Sequence, residues 1–276
     1  MERCLGLMAG AGTLPALAAA EARRQGWRVV AFTFDAAPGI DAASDAVVPS
    51  RLTDIQAVLS ELGRRRAEAA VIVGKFWKHA AFTQAAETDE AGQRLGSAGF
   101  SDGALTAMIV ATLAGLGIEV LDQRTFLGPW LVVDGWPRPG ALAAPPPSAA
   151  EWEEIRAGLA LARHLASQEI GQTVVRSRGV TVAVEAVEGT DETIRRGTRL
   201  AGPGAVVVKA VAPAHDYRFD VPAIGPATLE AMAAGQARVL AVERGKILLV
   251  EPDEVLRLAA AAGIAVVGVG DEPAHG

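Results

Sequence analysis

The sequence predicts an α/β protein with an N-terminal Rossmann-like parallel-sheet domain, a proline-rich linker and a C-terminal mixed α/β domain. Three observations carry this. Short, continuously apolar runs alternate with helical patterns over the first 120 residues, which is the signature of parallel strands covered on both faces. Then "LGPWLVVDGWPRPGALAAPPPS" places six prolines in 22 residues, too many for a regular helix or a central strand. After it, paired strands mixed with helices imply a mixed sheet. We place the boundaries at 1–128, 129–148 and 149–276, and expect the last of these to be the catalytic domain.

In chain order, "LGLMAG" is the first strand and 14–25 a helix. "RVVAFTF" and the short "DAVV" are strands. Thr53 and Asp54 read as a cap, because Ile55, Val58, Leu59 and Leu62 follow at helical spacing. "AAVIVG" is a strand, 101–116 a helix and "IEVL" the last strand of this half. The second half opens with a helix over 149–168 that carries Trp152, Ile155, Leu159 and Ala162 on one face. "TVVRSRGVTVAVEAV" predicts a hairpin turning at Arg178-Gly179. A helix from Thr190, the strand "AVVVKA" and a helix from about Pro226 follow. "RVLAVERGKILLVE" reads as a second hairpin around Arg244-Gly245, before a helix over 252–262 and the strand "AVVGV".

Half of the 276 residues are apolar, enough for two packed domains. The formal charge of −6 speaks against nucleic acid as a partner, since phosphate backbones select basic faces. No apolar run reaches the roughly 18 to 20 residues of a membrane-spanning helix, and no basic segment followed by an apolar core marks a signal peptide. The single cysteine, Cys4, excludes an internal disulfide and a thiolate zinc site, and a core position is its simplest reading. A cytoplasmic location is the default.

"GAGTLP", directly after the first strand, has the position of a phosphate-binding turn. Gly10 and Gly12 would let the backbone approach a phosphate, and the helix from Thr13 onward would aim its amides there. Pro15 stands where the full dinucleotide fingerprint has its third glycine, and Asp35 is the ribose candidate. The bland reading is a tight turn. Helix capping explains Ser101 and Asp102, and because they follow a Gly-rich loop a site role stays open beside it. Lys75 and Lys78 follow a strand end, where ligands bind in open sheets, though a solvated loop explains them as well, and His79, His164 and His215 are scattered along the chain. "VEGTDETIRR" sets Glu188, Thr190 and Asp191 between a strand and a helix; capping accounts for one of these oxygen donors, not for three. "HDYRFDVPAIG" gathers two acids, a His, a Tyr and an Arg before a Pro and a Gly. With Lys209 at a strand end, Arg218 could meet phosphates and Asp220 could hold a metal or orient a water, against a bland reading of salt bridges. Residues 99–103 have G-x-S-x-G spacing around Ser101, but no apolar strand pattern runs directly into them as a nucleophile elbow requires, and no H-E-x-x-H is present.

"GLMAGAGTLP", "GQTVV" (171–175), "VEAVEGTDETIRR" and "RFDVPAIG" occur in the same order as in the UDP-2,3-diacylglucosamine pyrophosphatases of the LpxI type, and the chain resembles that family over essentially its whole length. The resemblance implies a Rossmann-like domain and a distinct α/β domain with lipid substrate held between them. It also implies Mg²⁺-dependent hydrolysis of UDP-2,3-diacylglucosamine to UMP and lipid X, a reaction of lipid A biosynthesis. It makes Asp220 the essential acid and, with Asp191, the catalytic and metal-holding pair. Taken together with the reading of the residues, Gly10, Gly12, Thr13, Gln172, Glu188, Thr190, Lys209 and Arg218 are expected on the substrate. A diacylated UDP-sugar substrate implies transient contact with a membrane surface, peripheral on the inner membrane, and a homodimer is an assembly open to the chain.

The family's "KPxQDxRFD" run is "APAHDYRFD" here, with Ala212 and His215 in place of Lys and Gln. That departure keeps other readings in play: a non-catalytic nucleotide- or lipid-binding protein, a hydrolase of a different nucleotide diphosphate, and, resting on "GAGTLP" alone, an NAD(P) oxidoreductase.

Overall fold

The computed structural model describes residues 3–76, 102–132 and 144–270. The chain divides into two compact units. The first is Met1–Pro129 together with Asp216–Asp220, and the second is Trp130–His215 together with Val221–Gly276.

The first unit is a five-stranded parallel sheet, β1 (Cys4–Ala9), β2 (Arg28–Thr33), β3 (Ala46–Pro49), β4 (Ala69–Val73) and β5 (Glu119–Val120), in the order β3-β2-β1-β4-β5. Every residue of β1 and β4 is buried, as expected for central strands covered on both faces. The covering helices are α1 (Leu14–Arg24), α2 (Ile40–Ala43), α3 (Ile55–Arg64), α4 (Asp102–Gly115) and α5 (Arg124–Leu127). Asp54 caps α3 by accepting from the Ala57 amide at 3.3 Å, and Val58 and Leu62 carry that helix into the core with Phe32, Met8 and Ile72. Cys4 is a core residue. Successive strands leave β1 in opposite directions, so the switch point lies between β1 and β4, beyond which "GAGTLP" and Lys75 sit.

In the second unit β6 (Thr173–Ser177), β7 (Val180–Val184), β8 (Val206–Lys209), β10 (Val239–Glu243) and β12 (Ala265–Val269) form a mixed sheet in the order β12-β10-β8-β6-β7. β8, β10 and β12 run parallel, and β6 lies antiparallel to both β8 and β7. The β6–β7 hairpin turns where the sequence places it. Arg178 and Gly179 have φ of 53° and 80°, the left-handed pair of a two-residue turn that matches strand twist. Helix α6 (Ala149–Ser167) starts at a capping box of Ser148 and Glu151, and buries Ile155, Leu159 and Ala162 against the face that carries Val174 and Val208. Helix α7 (Thr190–Ala201) covers the other face, where Gly197 lies against Val175. Helices α8 (Pro226–Ala234) and α9 (Pro252–Ala262) complete the described set. No described helix is long and apolar enough to cross a membrane.

Two sequence expectations are corrected. The second hairpin does not form: β10 is flanked by β8 and β12, so both its edges are occupied and nothing remains for "KILLVE" to pair with. Instead β11 (Leu248–Leu249) pairs in parallel with β9 (Ala223–Ile224) as a separate ribbon. The 216–220 segment, grouped by sequence with the C-terminal domain, belongs to the first unit. Phe219 packs on the first core, the Tyr217 carbonyl accepts from the Gln123 amide at 3.0 Å, and the Arg124 guanidinium carbon stands 3.6 Å from the Tyr217 ring centroid. At the start of the expected linker, the Val132 amide bonds the Ile247 carbonyl at 3.0 Å and Leu131 bridges Leu248, so these two residues are built into the second unit.

A Cβ at Gly197 would lie 2.7 Å from Val175 Cβ, whereas one at Gly63 near the end of α3 would meet nothing within 4 Å. Urea unfolding should therefore show opposite signs: Gly197→Ala destabilises by about 1–3 kcal/mol, and Gly63→Ala stabilises by about 0.5–1 kcal/mol.

Candidate functional site

The densest polar arrangement in the second unit stands at the C-terminal end of β8. Lys209 closes that strand directly opposite Thr173, the first residue of β6. Its side chain is buried at 4 % exposure, in a strand otherwise built of Val. Nζ donates to Thr190 Oγ1 at 2.8 Å, reaches Thr173 Oγ1 at 3.5 Å, and stands 4.0 Å from Glu185 Oε2. Thr190 Oγ1 in turn donates to Glu185 Oε1 at 3.0 Å, and the Gln172 amide bonds Glu185 Oε2 at 3.3 Å. The three ammonium protons thus face two hydroxyls and one carboxylate, which makes a buried lysine tolerable.

Because Thr190 is the first residue of α7, this network also fixes where that helix begins. Gly189, at φ 82°, makes the entry turn that a side chain would strain. The opening amides of α7 have no partners within the helix, and its dipole favours an anion there. Asp191 lies in this first turn and accepts a hydrogen bond from Thr228 Oγ1 at 3.1 Å, tying α7 to the first turn of α8. Glu188 turns to the flank of α7, accepting from Arg196 at 2.5 Å and Thr193 at 3.2 Å. A bond from its own backbone amide, then Arg196, holds its carboxyl below the ordinary range. Gln172 enters through its backbone, whose carbonyl accepts from the Ala210 amide at 3.0 Å.

In the first unit, the glycine turn is closed by protein carbonyls. The Gly10 amide bonds Val73 at 2.9 Å, Ala11 exchanges 2.9 Å bonds with Lys75, and the Gly12 amide bonds Ala36 at 3.0 Å. A Cβ at Gly10 would sit 2.6 Å from the Lys75 carbonyl oxygen, and Gly12 adopts φ +102°, so both glycines have a local reason to be glycine. The amides left to face a phosphate are those of the first helical turn, starting at the N-cap Thr13, with Pro15 contributing none. Asp35 is exposed and accepts from the Ala36 amide at 2.7 Å.

Arg218 is engaged by its neighbour: Nε and Nη2 bond Asp216 Oδ1 and Oδ2 at 2.9 and 2.6 Å, which raises the guanidinium pKa above its usual value. Asp220 is exposed, just before buried Val221. The structure therefore brings Gln172, Thr190, Asp191 and Lys209 to one sheet end, with Glu188 beside them, in the second unit. Gly10, Gly12, Thr13, Arg218 and Asp220 fall in the first. Lys78, His79 and Ser101 lie outside the described residues, as does the side chain of Asp102. Thr173, Glu185 and Thr228 escaped the sequence reading. Thr173 and Glu185 are polar ends of apolar strands, a signal that pattern reading assigns to solvent.

Among the described residues no group of three or more His, Cys, Asp or Glu is placed to hold a metal ion. Mg²⁺ commonly takes only one or two carboxylates beside substrate phosphates. Asp191 has the hard oxygen chemistry for this and the orienting hydrogen bond that supports such ligands. Asp220 has the same oxygen chemistry and is exposed.

Comparison with known proteins places these residues in a family. Residues 4–130 match the LpxI N-terminal domain and residues 138–267 the LpxI C-terminal domain. The UDP-2,3-diacylglucosamine pyrophosphatase LpxI of Caulobacter vibrioides (strain ATCC 19089 / CIP 103742 / CB 15) is 31% identical over 178 residues, a match that spans 61% of this chain and 61% of that relative's length. N5-carboxyaminoimidazole synthetase from Staphylococcus aureus aligns at 13% identity over 67% of this chain and 41% of its own, with a TM-score of 0.25. AnUbiX (PadA1), solved with FMN and dimethylallyl pyrophosphate, aligns at 14% over 62% and 94%, with a TM-score of 0.28.

Glu185→Gln strands the Lys209 ammonium, and urea unfolding should show a loss of about 3 kcal/mol, part of which the double variant with Lys209→Met restores. Glu188 has a lowered folded-state pKa, so its contribution is complete above the ordinary carboxyl value of 4.5 and is lost as pH falls through the folded value. Glu188→Gln should flatten the stability profile below pH 4.5, read by unfolding midpoints across an acid titration.

Proposed function

This chain belongs to the LpxI family, and we propose that it hydrolyses the pyrophosphate of UDP-2,3-diacylglucosamine to UMP and 2,3-diacylglucosamine 1-phosphate, lipid X, in lipid A biosynthesis. The observation that carries the reading is family membership through both domains. The polar end of β8 supports it: the opening amides of α7, with the Lys209 ammonium behind them, favour phosphate oxygens, and the Asp191 carboxylate in the same turn suits a cation beside them.

In this reading water adds across the bridging P–O–P linkage. The water oxygen bonds to one phosphorus, the bond from that phosphorus to the bridging oxygen breaks, and the protons are shared between the two phosphate products and solvent. Asp220 is the proposed essential carboxylate, as base or as metal ligand, and Asp191 its companion. When bound, Mg²⁺ would supply positive charge to the phosphoryl oxygens. Lys209, whose donors face Thr190, Thr173 and Glu185, is proposed to act as fixed charge behind the α7 terminus. Thr13, Gln172, Glu188, Thr190 and Arg218 are the proposed substrate contacts, while Gly10 and Gly12, whose amides are taken by the Val73 and Ala36 carbonyls, shape the turn that presents Thr13. For Arg218 this requires exchanging Asp216 for phosphate oxygens. With this substrate go a cytoplasmic location, peripheral contact with the inner membrane and assembly as a homodimer, each a proposal.

A second reading, a non-catalytic nucleotide or lipid binder, is favoured by Ala212 and His215 in the run before Asp220. UMP release from UDP-2,3-diacylglucosamine decides between them. Release in Mg²⁺, loss in chelator, and a fall on the order of 10²-fold or more for Asp220→Asn are expected of the enzyme. Binding of the lipid without release by the unaltered protein would establish the binder instead.

A further inference from the structure

We propose that Glu243 is a positioning residue for the segment that carries Asp220, an inference that rests on the reaction proposed above. Glu243 closes β10 and is 1 % exposed. Its Oε1 accepts from Arg163 Nε and Nη2 of α6 at 2.9 and 2.6 Å and from Lys246 Nζ at 2.8 Å. Its Oε2 accepts from the backbone amide of Val211 at 3.0 Å. The β8–β10 ladder ends at the pair Val242–Lys209, so Val211 lies beyond the last register position and is fully buried. A buried amide past the end of a ladder needs another acceptor, and the Glu243 side chain supplies it.

The consequence reaches along the chain. Leaving β8, the backbone is held at Ala210 by the Gln172 carbonyl and at Val211 by Glu243, and nine residues later it arrives at Asp220. The two cations fix the carboxylate from one side, so that Oε2 faces Val211. A carboxylate retained only for stability would be an inefficient choice in a Val-rich sheet, since buried ion pairs often contribute no more than apolar replacements of the same shape. What it adds here is a defined exit direction for the strand that leads to the proposed essential acid. Glu243 acts through that backbone; it is not assigned a contact with substrate.

The test uses the full-length chain with Glu243→Gln and, as a second perturbation that leaves the carboxylate in place, Arg163→Gln. Hydrogen exchange of 211–220 should accelerate about tenfold or more while 239–243 and 265–269 keep their protection. In UMP release, kcat should fall about tenfold or more with KM within about threefold. Unchanged exchange in 211–220, loss of protection throughout the sheet, or faster local exchange with unaltered kcat would each overturn the proposal. Should Glu243→Gln not fold, Arg163→Gln alone decides by the same criteria. Should the unaltered protein release no UMP, the proposed reaction fails separately, and exchange alone decides the anchoring: acceleration confined to 211–220 supports it and its absence removes it.

Discussion

The buried ammonium of Lys209 is the constraint around which the second unit is arranged. A charge at the end of a Val strand in the middle of a sheet must find acceptors, and each acceptor here comes from a different element: Thr173 from β6, Glu185 from just past β7, Thr190 from the start of α7. Satisfying one charge therefore sets the relative positions of two strands and a helix. The close approach at Gly171, where a Cβ would lie 2.2 Å from the Glu185 carbonyl oxygen, belongs to the same closure. Glu243 repeats the logic with opposite sign one strand over, a buried carboxylate enclosed by Arg163 and Lys246. Both sit at the carboxyl ends of parallel strands, the edge at which α/β sheets place their chemistry.

The first unit solves a different problem. Its central strands β1 and β4 are apolar throughout and, among the described residues, its strands carry no buried charge at their ends; precision there comes from backbone against backbone. Gly10 and Gly74 let the loops after β1 and β4 pack directly on one another, with the Ala11–Lys75 bridge between them. A turn that looks from sequence like an open phosphate cradle is thereby largely closed by its own carbonyls, and any anion must be met by the first turn of α1 beyond it.

The segment 216–220 connects these two descriptions through the chain itself. It leaves the second unit after His215 and returns to it at Val221, and in between its aromatic residues serve the first unit's core and its α5 region. The clustering of charge that makes the segment conspicuous is therefore only partly about chemistry. Arg218 with Asp216 forms a compact local pair, while Tyr217 and Phe219 do the packing.

From sequence alone the α/β class, the parallel first sheet, the β6–β7 turn and the helix over 252–262 were legible, because each depends on local pattern: apolar periodicity, a two-residue turn, a cap. Thr190 and Lys209 could be named as polar residues at element ends, and the family could be named from ordered motifs. Glu185, Thr173 and Glu243 could not, because a polar residue closing an apolar strand looks solvated until the neighbouring elements bury it. The fate of "KILLVE" was also undecidable locally. A strand after a Gly turn pairs back only when an edge is vacant, and β10's edges were taken by strands distant in sequence. Which unit receives 216–220 was likewise a tertiary decision, made by where Phe219 and Tyr217 find apolar surface to bury.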